Sequence, residues 1–288
     1  MFSILEFLKY LFLGIIQGFT EVIPVSSSGH VSIAQEILQI HTDEGLLFLI
    51  LVNVGSLIAL VYHFRKRIIE LISGFMKFVF RKSTRDITRP HFEYGMMIVL
   101  ATIPAGVVGV FFGDAIDSIY LDNRMLLVGV GLLVSATFLY IVRDASYVNG
   151  RQTVTFGDAL SVGLFQMFGV LPGLSRNGIT TSSGLLRKMS METALVFSLL
   201  LSIPLSVGSI VVYGYKIVNG GAAGLGFDSS NLYQYVYYFA AFLASLIATR
   251  FALKFIFIFF RRGRLVYFSL YLFAVGTIAL IFGVIQIG

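Results

Sequence analysis

Apolar residues run in helix-length blocks at 4–23, 46–64, 93–113, 125–142, 192–214, 232–260 and 266–286. Blocks of about twenty such residues can cross a hydrocarbon core as helices. Three blocks are shorter, at 30–40, 157–171 and 179–189, and each adjoins a polar, glycine-containing break. The breaks are Pro24 to Gly29 and Pro172 to Gly178. Pro24 ends the first block, because proline lacks an N–H and restricts the residue before it. After the break, His30, Ile33, Ile37 and Leu38 recur at helical spacing. Residues 4–40 and 157–190 are therefore expected to be re-entrant hairpins, each a helix, a break and a shorter helix.

The polar stretches orient these blocks. Eight Lys/Arg between 65 and 89 mark a cytoplasmic connection. Within it, residues 66–82 place Ile68, Leu71, Ile72, Phe75 and Val79 on one helical face and Lys66, Glu70, Ser73 and Lys77 on another. That pattern predicts an amphipathic helix lying on the membrane surface. Asp114, Asp117 and Asp122, opposed only by Arg124, read as an external loop. The loop 143–151, and Arg261, Arg262 and Arg264, return to the inside. The loop 215–231 is glycine-rich and carries Lys216 and Asp228, and the span 232–260 is expected to tilt or break near Arg250. Tyr233, Tyr235, Tyr237 and Tyr238 fit an interfacial belt. If each hairpin enters and leaves on one side, six spans remain, every basic loop falls inside, and both termini fall outside. Counting the first helix of each hairpin as a full span breaks that alternation.

A repeat is also visible. The first break is followed by Val54-Gly55-Ser56 and Val61-Tyr62, the second by Val207-Gly208-Ser209 and Val212-Tyr213. Each half, 1–145 and 146–288, holds one hairpin and three spans, and an odd number of spans inverts the second copy. The expected fold is an all-α polytopic membrane protein of two inverted repeats. Its hairpin tips would meet near the midplane, as at the broken-helix sites of inverted-repeat transporters.

Composition agrees with a membrane protein. The chain is 57% hydrophobic and 12% charged, with mean hydropathy +0.89, where soluble domains carry about 25% charged residues. The absence of cysteine excludes disulfides, thiolate metal sites and a cysteine nucleophile. The net charge of +6 sits in loops, so it points to a membrane and not to nucleic acid. No basic residue precedes the first block and no small-residue cleavage site is present, so a removable signal peptide is not expected.

Chemistry concentrates at the two breaks. Charged groups at membrane depth cost about 2.5–3.5 kcal/mol each on insertion scales, which marks Glu21 and Arg176 as functional candidates. Gln17 and Glu21 are four apart and share a helix face, as do Gly14 and Gly18, whose spacing suits close helix packing. Ser26, Ser27, Ser28 and Gly29 open a helix, and two readings stay level: plain capping, or an anion seat at the helix N-terminus. His30 alone reads as structural, but beside Glu21 it suits proton transfer. Pro172 to Gly178 supplies Arg176, the residue type for bidentate phosphate recognition. Gly173 to Gly178 is similar to a nucleophile elbow, but its final glycine falls one place late; no Walker loop or H-E-x-x-H motif is present. An acid, an imidazole, an arginine and hydroxyls within lipid suit a phosphate-bearing anion with an apolar tail.

At these residues the chain resembles the undecaprenyl-diphosphate phosphatase family of the bacitracin-resistance type. Gln17 to His30 follows the pattern (E/Q)GxTExxPxSSxGH, and Pro172 to Gly178 follows PGxSRSG. Ala101-Thr102-Ile103-Pro104 and the stretch from Phe197-Ser198 to Ser202-Ile203-Pro204 are similar to further family segments. Two positions depart: Asn177 stands where serine is usual, and Gln17 where glutamate is frequent. The resemblance implies a membrane phosphatase that hydrolyses a polyprenyl diphosphate lipid to the monophosphate at the outer face of the cell membrane. It also implies dependence on a divalent cation, Mg²⁺ or Ca²⁺. Carried across, Glu21 is a metal ligand or base, with Gln17 a weaker metal position, and Ser27 and His30 sit at the reacting phosphate. Arg176 stabilises transition-state charge and binds the diphosphate with Ser175, while Ser26, Ser28, Gly29, Gly173, Asn177 and Gly178 complete the substrate seat. A homodimer is a further expectation. The rival classes are an inverted-repeat transporter or flippase of a polyprenyl phosphate, and a structural membrane protein whose charges merely pair.

Overall fold

The computed structural model describes residues 2–40, 46–145, 150–220, 232–261 and 264–287. Its α-helices are α1 (Ile4–Val22), α2 (Ser27–Ile37), α3 (Leu46–Phe80), α4 (Arg85–Asp122), α5 (Arg124–Ile141), α6 (Phe156–Phe168), α7 (Arg176–Leu186), α8 (Met191–Gly220), α9 (Leu232–Arg261) and α10 (Leu265–Ile287). Among the described residues, six helices are long and apolar enough to cross a membrane: α3, α4, α5, α8, α9 and α10. The short helices fall where the breaks place them. Both α2 and α7 have 11 residues, about 16 Å of helix, roughly half of a hydrocarbon core.

Close backbone contacts assemble these helices, because lipid offers no hydrophobic drive for helix to meet helix. Gly14 and Gly18 of α1 lie directly on the Ala241 and Ser245 carbonyls of α9, leaving no room for a Cβ. The α5–α10 pair uses the same device, with Gly129 against Leu280, and Gly276 and Gly283 against Leu132 and Leu126. Hydroxyls add links between α1, α3 and α9: Ser56 Oγ lies 2.8 Å from Ser245 Oγ, and Thr249 donates to the Gly18 carbonyl at 2.8 Å. Large apolar side chains such as Phe111, Ile278 and Ile285 point outward, as a lipid-facing surface requires. The buried core, including Val22, Val25, Val128, Leu132, Leu185 and Leu199, surrounds the two breaks.

Several boundaries differ from the sequence expectation. Residues 66–80 are not a separate surface helix but the continuation of α3. Their buried face packs on the start of α4, where the Phe75 and Phe78 rings lie 5.2 and 4.1 Å from Phe92 and Gly74 admits His91. The helix α4 likewise begins at Arg85 and runs on to Asp122, so Asp114 and Asp117 sit on a helix and not in a loop. Basic and acidic residues mark where lipid ends, which is not where the backbone hydrogen bonding ends. The helix α9 passes Arg250 unbroken. Tyr237 and Tyr238 are buried against Tyr10, and Tyr238 also meets Phe48, so these two of the four tyrosines pack the protein, while Tyr233 is exposed. Arg262 and the glycine-rich segment 221–231, with Asp228, lie outside the described residues.

The second hairpin is clasped at its open end by a residue that periodicity does not single out. Asp158, fully buried, closes a capping box with Thr155 at the start of α6. It also pairs with Arg151 at 2.7 Å and with Arg187, just past α7, at 3.2 Å. Both legs of the hairpin are thereby tied to one carboxylate.

Candidate active site

The two hairpin tips meet, and the same local chemistry builds each. Ser26 caps α2 by accepting from the Gly29 N–H at 3.2 Å, and Ser175 caps α7 by accepting from the Gly178 N–H at 3.1 Å. A serine three residues before a glycine satisfies an orphan amide of the first turn while leaving the backbone bare for a close approach. Ser28 Oγ then accepts from the Gly173 N–H at 3.3 Å, and the Asn177 side-chain amide donates to the Glu21 carbonyl at 2.6 Å. Gly173 itself has φ +84°, and a Cβ there would lie 2.7 Å from Val128 Cα of α5. Gly173→Ala is accordingly expected to destabilise the fold by at least ~1–2 kcal/mol from the left-handed backbone alone, read as a lower unfolding midpoint in detergent. Gly106→Ala, in open space on α4, should leave the midpoint unchanged or raise it.

Glu21 is the centre of the junction. It stands in the last turn of α1, 8% exposed. Its Oε2 accepts from Ser27 Oγ at 2.7 Å and from Gln17 Nε2 at 3.1 Å, and its Oε1 accepts from Arg176 Nη2 at 2.9 Å. One carboxylate thus binds α1, the tip of the first hairpin and the tip of the second. Removing one partner of such a buried pair leaves the other charge uncompensated, most severely where the charge left behind is the more deeply buried Glu21. Among the described residues, the buried Arg176 Nε meets no hydrogen-bond partner, so one donor of the guanidinium is uncommitted at the tip.

The remaining site residues divide by partner. Gln17, buried, donates from the same amide nitrogen to Asn53 Oδ1 on α3 at 2.8 Å. Asn53 is one of the site residues that the sequence reading missed. Its signal was available: a carboxamide inside the apolar block 46–64, where polar groups are costly without partners. Asn177, at the usual serine position, is engaged at both ends, because its Oδ1 also accepts from Ser198 at 3.1 Å and from Ser202 at 3.0 Å. It braces the tips against α8. Ser175 also donates its N–H to Ser135 Oγ on α5 at 2.8 Å. His30 points elsewhere: Nδ1 is 2.8 Å from the Ser26 carbonyl and Nε2 is 2.8 Å from the Tyr271 hydroxyl of α10. Its hydrogen bonds therefore go to the cap of α2 and to α10, while Glu21 holds Ser27.

Among the described residues no group of three or more His, Cys, Asp and Glu is placed to hold a metal. Glu21 is a single carboxylate already met by three donors. Hard cations such as Mg²⁺ often take one or two carboxylates and fill the other positions with phosphate oxygens and water. The residues therefore do not make a cation cage by themselves: Glu21 could offer a divalent cation one carboxylate, and phosphate oxygens and water would have to supply its other ligands.

The profile of the family described as bacitracin resistance protein BacA matches residues 10–278. A Bacillus cereus protein named undecaprenyl-diphosphatase 1 is 39% identical over 275 residues, covering 96% of this chain and 97% of its own length. An Oceanobacillus iheyensis undecaprenyl-diphosphatase is 38% identical, with 95% of each chain covered. An undecaprenyl-diphosphatase of Alkaliphilus metalliredigens is 34% identical over 96% of this chain and 98% of its own.

Proposed function

The chain belongs to the bacitracin resistance protein BacA family, and from that premise we propose that it hydrolyses undecaprenyl diphosphate to the monophosphate and inorganic phosphate, recycling the lipid carrier for glycan synthesis. The observation that carries the reading is the Glu21 carboxylate, which holds Ser27 at 2.7 Å and Arg176 at 2.9 Å where the two hairpin tips join. A hydroxyl, an acceptor for its proton and a cation for the phosphate are thereby brought to one point within the membrane helices.

In this reading Arg176 and the N-terminal amides of α2 and α7 seat the diphosphate, with the uncommitted Arg176 Nε available to a phosphate oxygen. Ser27 donates its proton to Glu21 as Oγ attacks the terminal phosphorus. The new Oγ–P bond forms, the bridging P–O bond breaks, and polyprenyl monophosphate leaves. Water then cleaves the phosphoserine, Ser27 recovers its proton, and inorganic phosphate departs. A bound Mg²⁺ or Ca²⁺, held by Glu21 and diphosphate oxygens, would neutralise charge on the leaving group. Ser26, Ser28, Ser175 and Asn177 hold the two tips in register, and Gly29, Gly173 and Gly178 let the backbones close on the substrate.

The finer topology belongs to the same proposal. Halves 1–145 and 146–288 as inverted repeats account for the matched caps at Ser26 and Ser175. The basic residues around the α3–α4 connection support an inside location for it, and in that reading both termini lie outside and the site opens to the outer face.

Rapid acid quench with substrate labelled on its terminal phosphate tests the chemistry. Label is expected on Ser27 before inorganic phosphate appears, and to be absent in Ser27→Ala. Turnover by Ser27→Ala at the wild-type rate, with no labelled protein in either case, would assign the attack to water.

A further inference from the structure

His30 lies one turn from the tip of the first hairpin, yet its two hydrogen bonds go to the Ser26 carbonyl and to a hydroxyl 241 positions away. A carbonyl oxygen only accepts, so Nδ1, at 2.8 Å from it, carries the ring proton. In the neutral ring Nε2 then holds the lone pair, and the Tyr271 hydroxyl donates to it at 2.8 Å. The two rings are also stacked, with centroids 5.5 Å apart and planes 16° from parallel. The plane, tilt and protonated nitrogen of His30 are therefore all set by two contacts. One is the carbonyl of the residue that caps α2, beside Ser27. The other is an aromatic side chain on α10.

Tyr271 is well placed to act as a fixed reference. It lies on the helix that packs backbone-close on α5 through Gly276 and Gly283. The helix α5 in turn carries the Val128 and Gly131 backbones against which Gly173 of the second tip rests. Tyr271 itself is 47% exposed, so core packing does not explain a hydroxyl aimed at the imidazole. We propose that Tyr271 is a positioning residue for His30, holding the imidazole in the Nδ1–H form so that Nε2 is the base that takes the proton of the water that cleaves the phosphoserine and passes it to the departing inorganic phosphate. The proposal rests on the phosphatase reading for its effect on turnover, but not for its effect on the ring. As that water approaches, the Tyr271 hydroxyl releases Nε2 to it while Ser26 and the stacked ring keep the imidazole oriented.

The test compares the full-length protein with Tyr271→Phe, which keeps the stacked ring and removes only the donor. The first readout is the ¹⁵N spectrum of the His30 imidazole in substrate-free protein, assigned by its loss in His30→Gln. The wild type is expected to show protonated Nδ1 and a hydrogen-bonded, unprotonated Nε2; in Tyr271→Phe the Nε2 resonance should shift as that bond is lost. The second readout is phosphate release, where kcat should fall about tenfold, the scale of one hydrogen bond, with KM and the unfolding midpoint unchanged. Tyr271→Ala, which also removes the stacked ring, should fall further. A His30 protonated on Nε2 in the wild type, or an unaltered Nε2 signal in Tyr271→Phe, would overturn the proposal whatever the kinetics. An altered signal with unchanged kcat would overturn its functional half. If the wild type releases no phosphate at all, the phosphatase reading fails, while the spectrum still decides whether Tyr271 sets the ring.

Discussion

Glu21→Gln is expected to reduce kcat for phosphate release by roughly 10³- to 10⁴-fold, the upper part of the range for a lost proton-transfer group. The substitution keeps the length and planarity of the side chain, so Ser27 can still donate to the amide oxygen from its present 2.7 Å position. A carboxamide cannot take the proton onward, and it removes the anion that Arg176 faces at 2.9 Å. The loss should therefore fall on chemistry more than on assembly, with the variant still recovered folded from detergent. That separation discriminates between classes. If the charges only paired to hold the helices together, unfolding midpoint and activity would fall in step.

Arg176→Ala should be the more damaging variant, because it removes two things at once. The loss of an arginine that stabilises phosphoryl-transfer charge corresponds to about 10³-fold or more in kcat. The fold should suffer as well. Glu21 would remain buried with Gln17 and Ser27 as its only side-chain donors, and an uncompensated buried charge costs about 3–5 kcal/mol. The Arg176 side chain is 23% exposed, so solvent softens that figure and ~3 kcal/mol is the expected loss. Arg176→Lys should recover much of the stability and little of the activity, because an ammonium restores charge but not the planar fork. Phosphate release and detergent unfolding, run on both variants, check the pair.

Much of the frame was legible from apolar block lengths. Three short blocks beside the proline- and glycine-containing breaks stood out against seven helix-length ones, and Glu21 and Arg176 stood out because charge at membrane depth is costly. What the pattern could not supply is which distant groups meet. Asn53 and Tyr271 reach the site from α3 and α10, and no periodicity links them to the hairpins. Hydroxyls were harder still. Thr20 and Ser32 bond back to carbonyls of their own helices, so periodicity alone does not distinguish Ser198 and Ser202, which brace Asn177 from α8; only the family resemblance of their segment set them apart. Helix ends were misjudged for a related reason. Arg65 to Lys82 carry the charge of a membrane exit, but nothing between Tyr62 and Phe80 interrupts the backbone, and packing on α4 keeps the helix intact.

The most direct measurement is inorganic phosphate release from undecaprenyl diphosphate by the purified wild-type protein in detergent, with Mg²⁺ or Ca²⁺ and then with chelator. Hydrolysis at the hairpin junction requires sustained release that depends on the cation and is lost in folded Glu21→Gln. A folded wild-type protein that releases no phosphate with any divalent cation, yet moves polyprenyl phosphate across a bilayer, would contradict it.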